Sequence, residues 1–255
     1  MAGIMDLSGK VVLVTGGNGG IGLGMAEGVA AAGADVCIWG RNVEKNEHAR
    51  AQLEKHGNRV LVIPCDVSSE ENVEAAFAET VTELGKVDAC FANAGLGGFV
   101  RSFAQMETTE WRNMLTNNLD SVFFTLRAAV RHMVGRGEGG SLAATSSLAA
   151  IEGQARGEHY AATKGAIISV IKALAVEYAR DGIRANAILP GWIDTPMSTK
   201  AFASEQMHAK VLPRVPVRRW GTGADFAGVA VYLTSDLSSY HTGDTFVIDG
   251  GYSIY

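Results

Sequence analysis

Seven short runs of consecutive apolar residues punctuate the chain: Val11 to Val14, Val36 to Trp39, Val60 to Ile63, Val87 to Phe91, Leu142 to Ala144, Ala185 to Leu189 and Phe246 to Ile248. Runs that are continuous rather than alternating are expected of strands covered on both faces. Helix-length segments lie between them. Ser69 is placed to cap a helix in which Val73, Phe77, Val81 and Leu84 recur at spacings of three and four, and Gly85 supplies its stop. Another segment carries Ile167, Val170, Ile171, Leu174 and Tyr178 on one face and ends at Asp181-Gly182. Strands alternating with helices predict right-handed crossovers and an α/β fold: a Rossmann-like, doubly wound parallel sheet of about seven strands with helices on both faces.

No composition break, Pro-rich linker or repeat divides the chain, so residues 1–255 are expected to form one domain. Gly191 to Arg219 is the longest stretch without a strand signal, and its mixture of prolines and helical fragments predicts a substrate lid. With 255 residues, 47% of them hydrophobic, the chain can bury a large core without disulfides or metals, which excludes disordered and collagen-like classes. A net charge of −5 gives no electrostatic reason to expect nucleic acid or an anionic membrane as partner. Cys37, Cys65 and Cys90 sit in or beside apolar runs with no metal-ligand spacing, as expected of buried thiols in a reducing cytoplasm. Met1 to Lys10 reads as no secretory signal, and no run approaches the roughly 20 residues that span a bilayer.

The first strand leads into Thr15-Gly16-Gly17-Asn18-Gly19-Gly20-Ile21-Gly22 and then a helix predicted from Leu23 to Ala32. Glycines let backbone amides approach a pyrophosphate at the positive end of a helix. Two registers are open: glycines 17, 19 and 22 fit G-x-G-x-x-G, and 16, 20 and 22 fit T-G-x-x-x-G-x-G. Where the second strand ends, Gly40 offers no carboxylate to an adenosine ribose and Arg41 offers a guanidinium to a 2′-phosphate, so NADP(H) is favoured and NAD(H) remains possible. On this reading Asp at position 40 would shift preference towards NAD(H). Asp66-Val67 and Asn93-Ala94-Gly95 follow the third and fourth strands, at the edge where the ligand crevice of such a sheet opens.

Tyr160 and Lys164 lie four positions apart at the start of a helix running to Arg180, so they share a face. An ammonium beside a phenol is expected to lower the phenol pKa. In company with the motifs above, these residues resemble the short-chain dehydrogenase/reductase family of the single-domain type, with chains of roughly 250 residues and a layered α/β sheet. The resemblance rests on Thr15 to Gly22, Asp66, Asn93-Ala94-Gly95, Asn118-Leu119-Asp120-Ser121, Ser147, Tyr160 to Lys164, Pro190-Gly191 with Thr195, and Asp249-Gly250-Gly251. It covers nearly the whole chain and selects glycines 16, 20 and 22.

The resemblance implies an NAD(P)-dependent oxidoreductase whose catalytic residues are Asn118, Ser147, Tyr160 and Lys164. Tyr160 would act as acid in reduction and base in oxidation, and Ser147 would hold the reacting oxygen. Ser146 is the rival serine; Ser147 is chosen because it stands thirteen residues before the tyrosine. Lys164 would lower the tyrosine pKa and hold the nicotinamide ribose, and Asn118 would hold a relay water. The implied cofactor contacts are Gly16, Asn18, Gly20, Ile21, Gly22, Arg41, Asp66, Val67, Asn93, Ala94, Gly95, Tyr160, Lys164, Pro190, Gly191, Ile193 and Thr195. Asp120 and Ser121 depart from the family pattern, and the turn at 18 and 19 lacks the extra basic residue of many NADP-preferring members. His159 is expected at the surface or an interface, since neighbouring helical positions point in different directions.

Loops after Gly95, Ser147 and Gly191 would line the substrate pocket with Leu96, Gln154, Trp192 and Met197, joined by Phe99, Phe202 and Leu212. Such a partly apolar pocket suggests a small to medium secondary alcohol or ketone. An alternative is 3-oxoacyl-(acyl-carrier-protein) reductase, with Arg127, Arg131, Arg136, Lys200, Lys210, Arg214, Arg218 and Arg219 available to an acidic carrier. A dinucleotide-binding regulator without turnover is a third reading, disfavoured by the full Asn118, Ser147, Tyr160 and Lys164 set. The resemblance and the apolar faces of Ser121 to Val134 and Ala161 to Tyr178 imply a homodimer or homotetramer.

Overall fold

Each apolar run forms a strand in the computed structural model, which describes residues 4–196, 198–202 and 204–255. The strands are β1 (Val11–Thr15), β2 (Asp35–Gly40), β3 (Val60–Pro64), β4 (Ala89–Ala92), β5 (Gly140–Thr145), β6 (Ile183–Pro190) and β7 (Thr245–Ile248). They make one parallel sheet in the order β3-β2-β1-β4-β5-β6-β7. β6 starts two residues before its apolar run, and its polar members Arg184 and Asn186 find hydrogen-bond partners within the protein. Arg184 Nη2 donates to the Leu233 carbonyl, and Asn186 bonds the His241 carbonyl and the Asp244 N–H.

Helices α1 (Gly20–Ala31), α2 (Val43–Leu53) and α9 (Ala227–Thr234) cover one face, burying Met25, Val29, Leu53 and Leu233 against the sheet. The other face is covered by α3 (Glu70–Leu84), α5 (Ser121–Arg136) and α6 (Glu158–Glu177), through Val73, Phe77, Leu126, Ile167 and Ile171. Burying each such aliphatic side chain is worth about 1.5–3 kcal/mol. The Ser69 hydroxyl accepts from the Asn72 N–H, and Gly85 closes α3 at φ +86°, so the capping residues legible in the sequence set its ends. The short helix α4 (Thr108–Leu115) runs into α5 through a wide π turn, Thr116–Asp120, that carries Asn118. In the predicted lid, α7 (Thr199–Phe202) and α8 (Glu205–Val211) rise between β6 and β7.

β1 has β2 on one side and β4 on the other, so the chain direction of the crossovers reverses there and a crevice opens beyond the strand ends. No helix among the described residues is long and apolar enough to cross a membrane.

Candidate active site

At the reversal point, Thr15 Oγ1 accepts the N–H groups of Asn93 and Ala94, each at 3.0 Å, while Asn93 Nδ2 donates to the Thr15 carbonyl. Thr145 Oγ1 donates to Asn93 Oδ1, so one asparagine ties the ends of β1, β4 and β5 together. Gly16 and Gly20 adopt left-handed backbone, φ +65° and +53°, and a Cβ on Gly22 would lie 2.3 Å from the Gly16 carbonyl oxygen. Gly19 is extended, a conformation open to any residue. The glycine register is therefore 16, 20 and 22. α1 begins three residues earlier than its sequence pattern predicts, with no side-chain cap and no acidic residue in its first turn. Its positive end is left for an anion.

A cavity of about 460 Å³ runs along these strand ends. It is lined by Gly16, Asn18, Gly20, Ile21, Arg41, Asp66, Val67, Asn93, Ala94, Gly95, Ser147, Tyr160, Lys164, Pro190, Gly191, Ile193 and Thr195, and by Leu96 and Trp192. Gly22 is buried behind the turn, where it permits the close approach of Gly16. Lys45 and Asn117 also line the cavity and escaped the sequence reading, as did Ser198, whose Oγ donates to the Ile193 carbonyl. Lys45 carried a signal: it stands one helical turn after Arg41, across the Asn42 cap. Both cations are exposed and neither forms an ion pair among the described residues. The Asp66 carboxyl is held below its usual range by the Ser68 hydroxyl, with Arg41 adding to the effect.

Position 40 corrects one expectation. A Cβ there would lie 2.2 Å from Asn18 Nδ2 and 2.5 Å from Asn46 Oδ1, so Asp cannot simply be introduced at the end of β2.

The reacting end is assembled by α6 and the loop after β5. Lys164 Nζ donates to the Thr145 carbonyl at 2.8 Å and Ser146 Oγ donates to the Lys164 carbonyl at 2.7 Å. Ser146 is thereby buried and spent on holding the helix. Ser147 Oγ accepts the Ala149 N–H at 3.2 Å and lines the cavity together with Tyr160. The lowered phenol pKa expected from helical spacing is not found: burial pushes Tyr160 up, and the nearby Ser147 hydroxyl only partly offsets it. Lys164 lies 5.6 Å from the Tyr160 ring centre with its ammonium turned to Thr145, and burial brings its own pKa down to about 8. Desolvation outweighs a cation held at that distance.

Asn118 is fully buried and does not line the cavity; its Oδ1 accepts the Leu96 N–H at 2.6 Å and its Nδ2 donates to the Leu96 carbonyl at 2.8 Å. Its side chain thus fixes the loop that presents Leu96, leaving only its main chain for a relay water. His159 also departs from expectation. It is 4% exposed, with Nδ1 unpartnered, and the loop through Gly98 packs close to it: a Cβ at Gly98 would lie 4.0 Å from His159 Nε2. Of the remaining pocket expectations, Phe202 lines the cavity, packed on Trp220 with ring centres 4.3 Å apart, whereas Gln154 and Leu212 do not and Phe99 is 65% exposed. Met197 lies outside the described residues.

A crevice at the reversal point of a parallel sheet, an uncapped helix start and a Ser-Tyr-Lys group on the cavity wall with its lysine buried define a dinucleotide-dependent oxidoreductase. The family model described as enoyl-(acyl carrier protein) reductase matches residues 16–253. The chain is 35% identical over 249 residues to 2-dehydro-3-deoxy-D-gluconate 5-dehydrogenase of Escherichia coli K12, covering 97% of this chain and 96% of that one. It is 37% identical over 247 residues to the 3-oxoacyl-(acyl-carrier-protein) reductase FabG of Chlamydia pneumoniae, covering 97% and 98%. The solved short-chain type dehydrogenase/reductase of Mycobacterium marinum superposes with a TM-score of 0.93 at 34% identity, covering 99% and 98%. Two further solved relatives, each 30% identical, hold NADP and NADH respectively. The chain belongs to the short-chain dehydrogenase/reductase family, and it is an NAD(P)-dependent enzyme acting on CH–OH and C=O groups.

Proposed function

We propose that this enzyme interconverts a small to medium secondary alcohol and its ketone, with NADP(H) as the preferred cofactor, through Ser147, Tyr160, Lys164 and Asn118. The observation that carries this reading is the convergence of Ser147, Tyr160 and Lys164 on one cavity with Leu96, Trp192 and Phe202, with Lys164 Nζ 5.6 Å from the Tyr160 ring centre. A bound nicotinamide supplies the hydride acceptor or donor. Gly16, Gly20 and Ile21 at the start of α1 fit its pyrophosphate. Arg41 and Lys45 fit an adenosine 2′-phosphate, since two cations at one end of the cavity reward a dianion that NAD lacks.

Ser147 Oγ holds the substrate oxygen beside the phenol, and Tyr160 gives that oxygen a proton in reduction or takes one in oxidation. A phenol kept protonated by burial suits the reducing direction. Lys164 offers its ammonium to the nicotinamide ribose, while the π turn at Asn118 fixes Leu96 over the site. Segment 191–219 acts as the lid, with Thr195 against the phosphate turn: a Cβ on Gly20 would lie 3.0 Å from Thr195 Cγ2. The enzyme works as a homodimer or homotetramer in the cytoplasm, and exposed Phe123 on α5 and Val176 on α6 support the pairing. Sedimentation as a 26.9 kDa monomer would refute the pairing.

The similarity to a 3-oxoacyl-carrier reductase keeps that substrate as a second reading. Against it, Arg127, Arg131, Arg136 and Arg219 are each engaged by acidic side chains of this chain, which lowers their draw on an acidic carrier.

The test is NADPH oxidation over a panel of ketones, diketones, keto-sugars and oxoacyl thioesters. Turnover of a simple ketone or keto-sugar is expected, falling at least about 100-fold in Tyr160→Phe with melting temperature and NADPH binding near wild type. Near-normal turnover in that variant would overturn the assignment.

A further inference from the structure

α2 presents Asn46, Ala49 and Leu53 to the core, and the polar member of that stripe is only 1% exposed. A buried amide in an apolar stripe needs partners, and here their order is forced by chemistry. The Gly40 carbonyl can only accept, so Asn46 turns its Nδ2 to it, at 2.9 Å. Asn46 Oδ1 then faces Asn18 and accepts from Asn18 Nδ2 at 2.7 Å. Asn18 lies in the phosphate turn and lines the cavity, whereas Asn46 does not. The two amides together occupy the place a side chain at position 40 would need.

We propose that Asn46 is a positioning residue for cofactor discrimination: its relay to Asn18 locks a neutral amide across the end of β2, excluding a ribose-binding carboxylate and leaving Arg41 and Lys45 to select the 2′-phosphate. The proposal rests on the NADP(H) reading above for the direction of preference, but the lock itself stands on the Gly40–Asn46–Asn18 contacts. The Gly40 carbonyl also accepts the Cys65 N–H in the β2–β3 ladder at 3.3 Å, so removing Asn46 does not orphan it. Asn46 acts at a distance from the cofactor, through the side chain it anchors.

The test compares Gly40→Asp alone with Asn46→Ala/Gly40→Asp, reading NADPH and NADH dissociation constants by nicotinamide fluorescence, with thermal melts. The single variant is expected to weaken NADPH without tightening NADH. In the double variant, Asn18 is released and the new carboxylate reaches the ribose, so NADH is expected to bind about tenfold tighter than in the single variant. Asn46→Ala alone is expected to raise the cofactor KM by several-fold with a much smaller change in kcat at saturation, a split that a general loss of structure would not produce. If melts show that Asn46→Ala does not fold, Asn18→Ala/Gly40→Asp opens the same space from the cavity side and is expected to gain NADH in the same way. Equal NADH affinity in the single and double variants, or a gain in NADH affinity from Gly40→Asp alone, would overturn the lock. A wild-type preference for NADH would overturn the cofactor reading instead, and the single-to-double contrast would still decide whether the lock exists.

Discussion

Lys164 donates from Nζ to the main-chain carbonyl of Thr145 at 2.8 Å, joining the first turns of α6 to the last residue of β5. Ser146 Oγ returns a bond to the Lys164 carbonyl, so helix and strand end are fastened twice within one turn. The two serines after Thr145 are thereby divided between tasks. One is consumed by the fastening and the other is left beside the phenol.

That division separates two single variants. Ser147→Ala is expected to cut turnover about 100-fold or more while leaving the melting temperature near wild type, since in the proposed mechanism its hydroxyl serves the reacting oxygen. Ser146→Ala is expected to cost about 1 kcal/mol of stability, for one buried hydrogen bond, with a smaller loss of turnover. Kinetics and denaturant melts of both variants decide the matter; the reverse pattern would make Ser146 the catalytic serine.

Burial sets a pH dependence for cofactor binding. With its pKa brought down to about 8, Lys164 is an ammonium below that pH and a neutral amine above it. Binding of an anionic dinucleotide favours the charged form, so NADPH affinity is expected to fall as pH rises through about 8. Fluorescence titrations from about pH 6.5 to 9.5 should show this step, and Lys164→Met should abolish it. A step that persists in Lys164→Met would belong to another group.

Arg41 and Lys45 are expected to act as a pair on one phosphate. Each alanine variant should raise the Michaelis constant for NADPH by the equivalent of about 1–3 kcal/mol, the value of a hydrogen bond to a charged group, with little change for NADH. The double variant should fall short of the sum, because both cations serve one dianion. Equal losses with NADPH and NADH would place the Arg41 guanidinium on the adenine rather than the phosphate.

His132 links α5 to the sheet, its Nε2 accepting the Val87 N–H at 3.1 Å and its ring against Phe77. An imidazole that must accept there is neutral, and burial, reinforced by Arg136, holds its pKa below the ordinary 6.5 against the opposing pull of Asp88. The unfolded chain then binds the proton more readily, so stability is full above 6.5 and declines as pH falls towards the lowered folded value. Urea midpoints at about pH 7.5 and 5.5 should differ more for wild type than for His132→Gln. An equal difference would place the acid sensitivity elsewhere.

Local and periodic features of the sequence determined the frame. Continuous apolar runs can be buried only between two layers, so the parallel sheet followed. Left-handed turns admit few residues but glycine, so the phosphate turn followed once the family resemblance chose the register. Tyr160 and Lys164 share a face because a helix repeats every 3.6 residues. Tertiary structure decided what depends on segments distant in the chain. The phenol pKa rose because packing around Tyr160 strips it of part of its water, a cost that helical spacing does not contain. His159 was buried beside a loop from the end of β4, and Asn118 was spent on Leu96 rather than on the cavity. Asn46 gave no sign in the sequence beyond a polar residue in a mostly polar helix. Its meaning came from Asn18 and Gly40, brought within hydrogen-bonding distance by packing α2 against the end of β2.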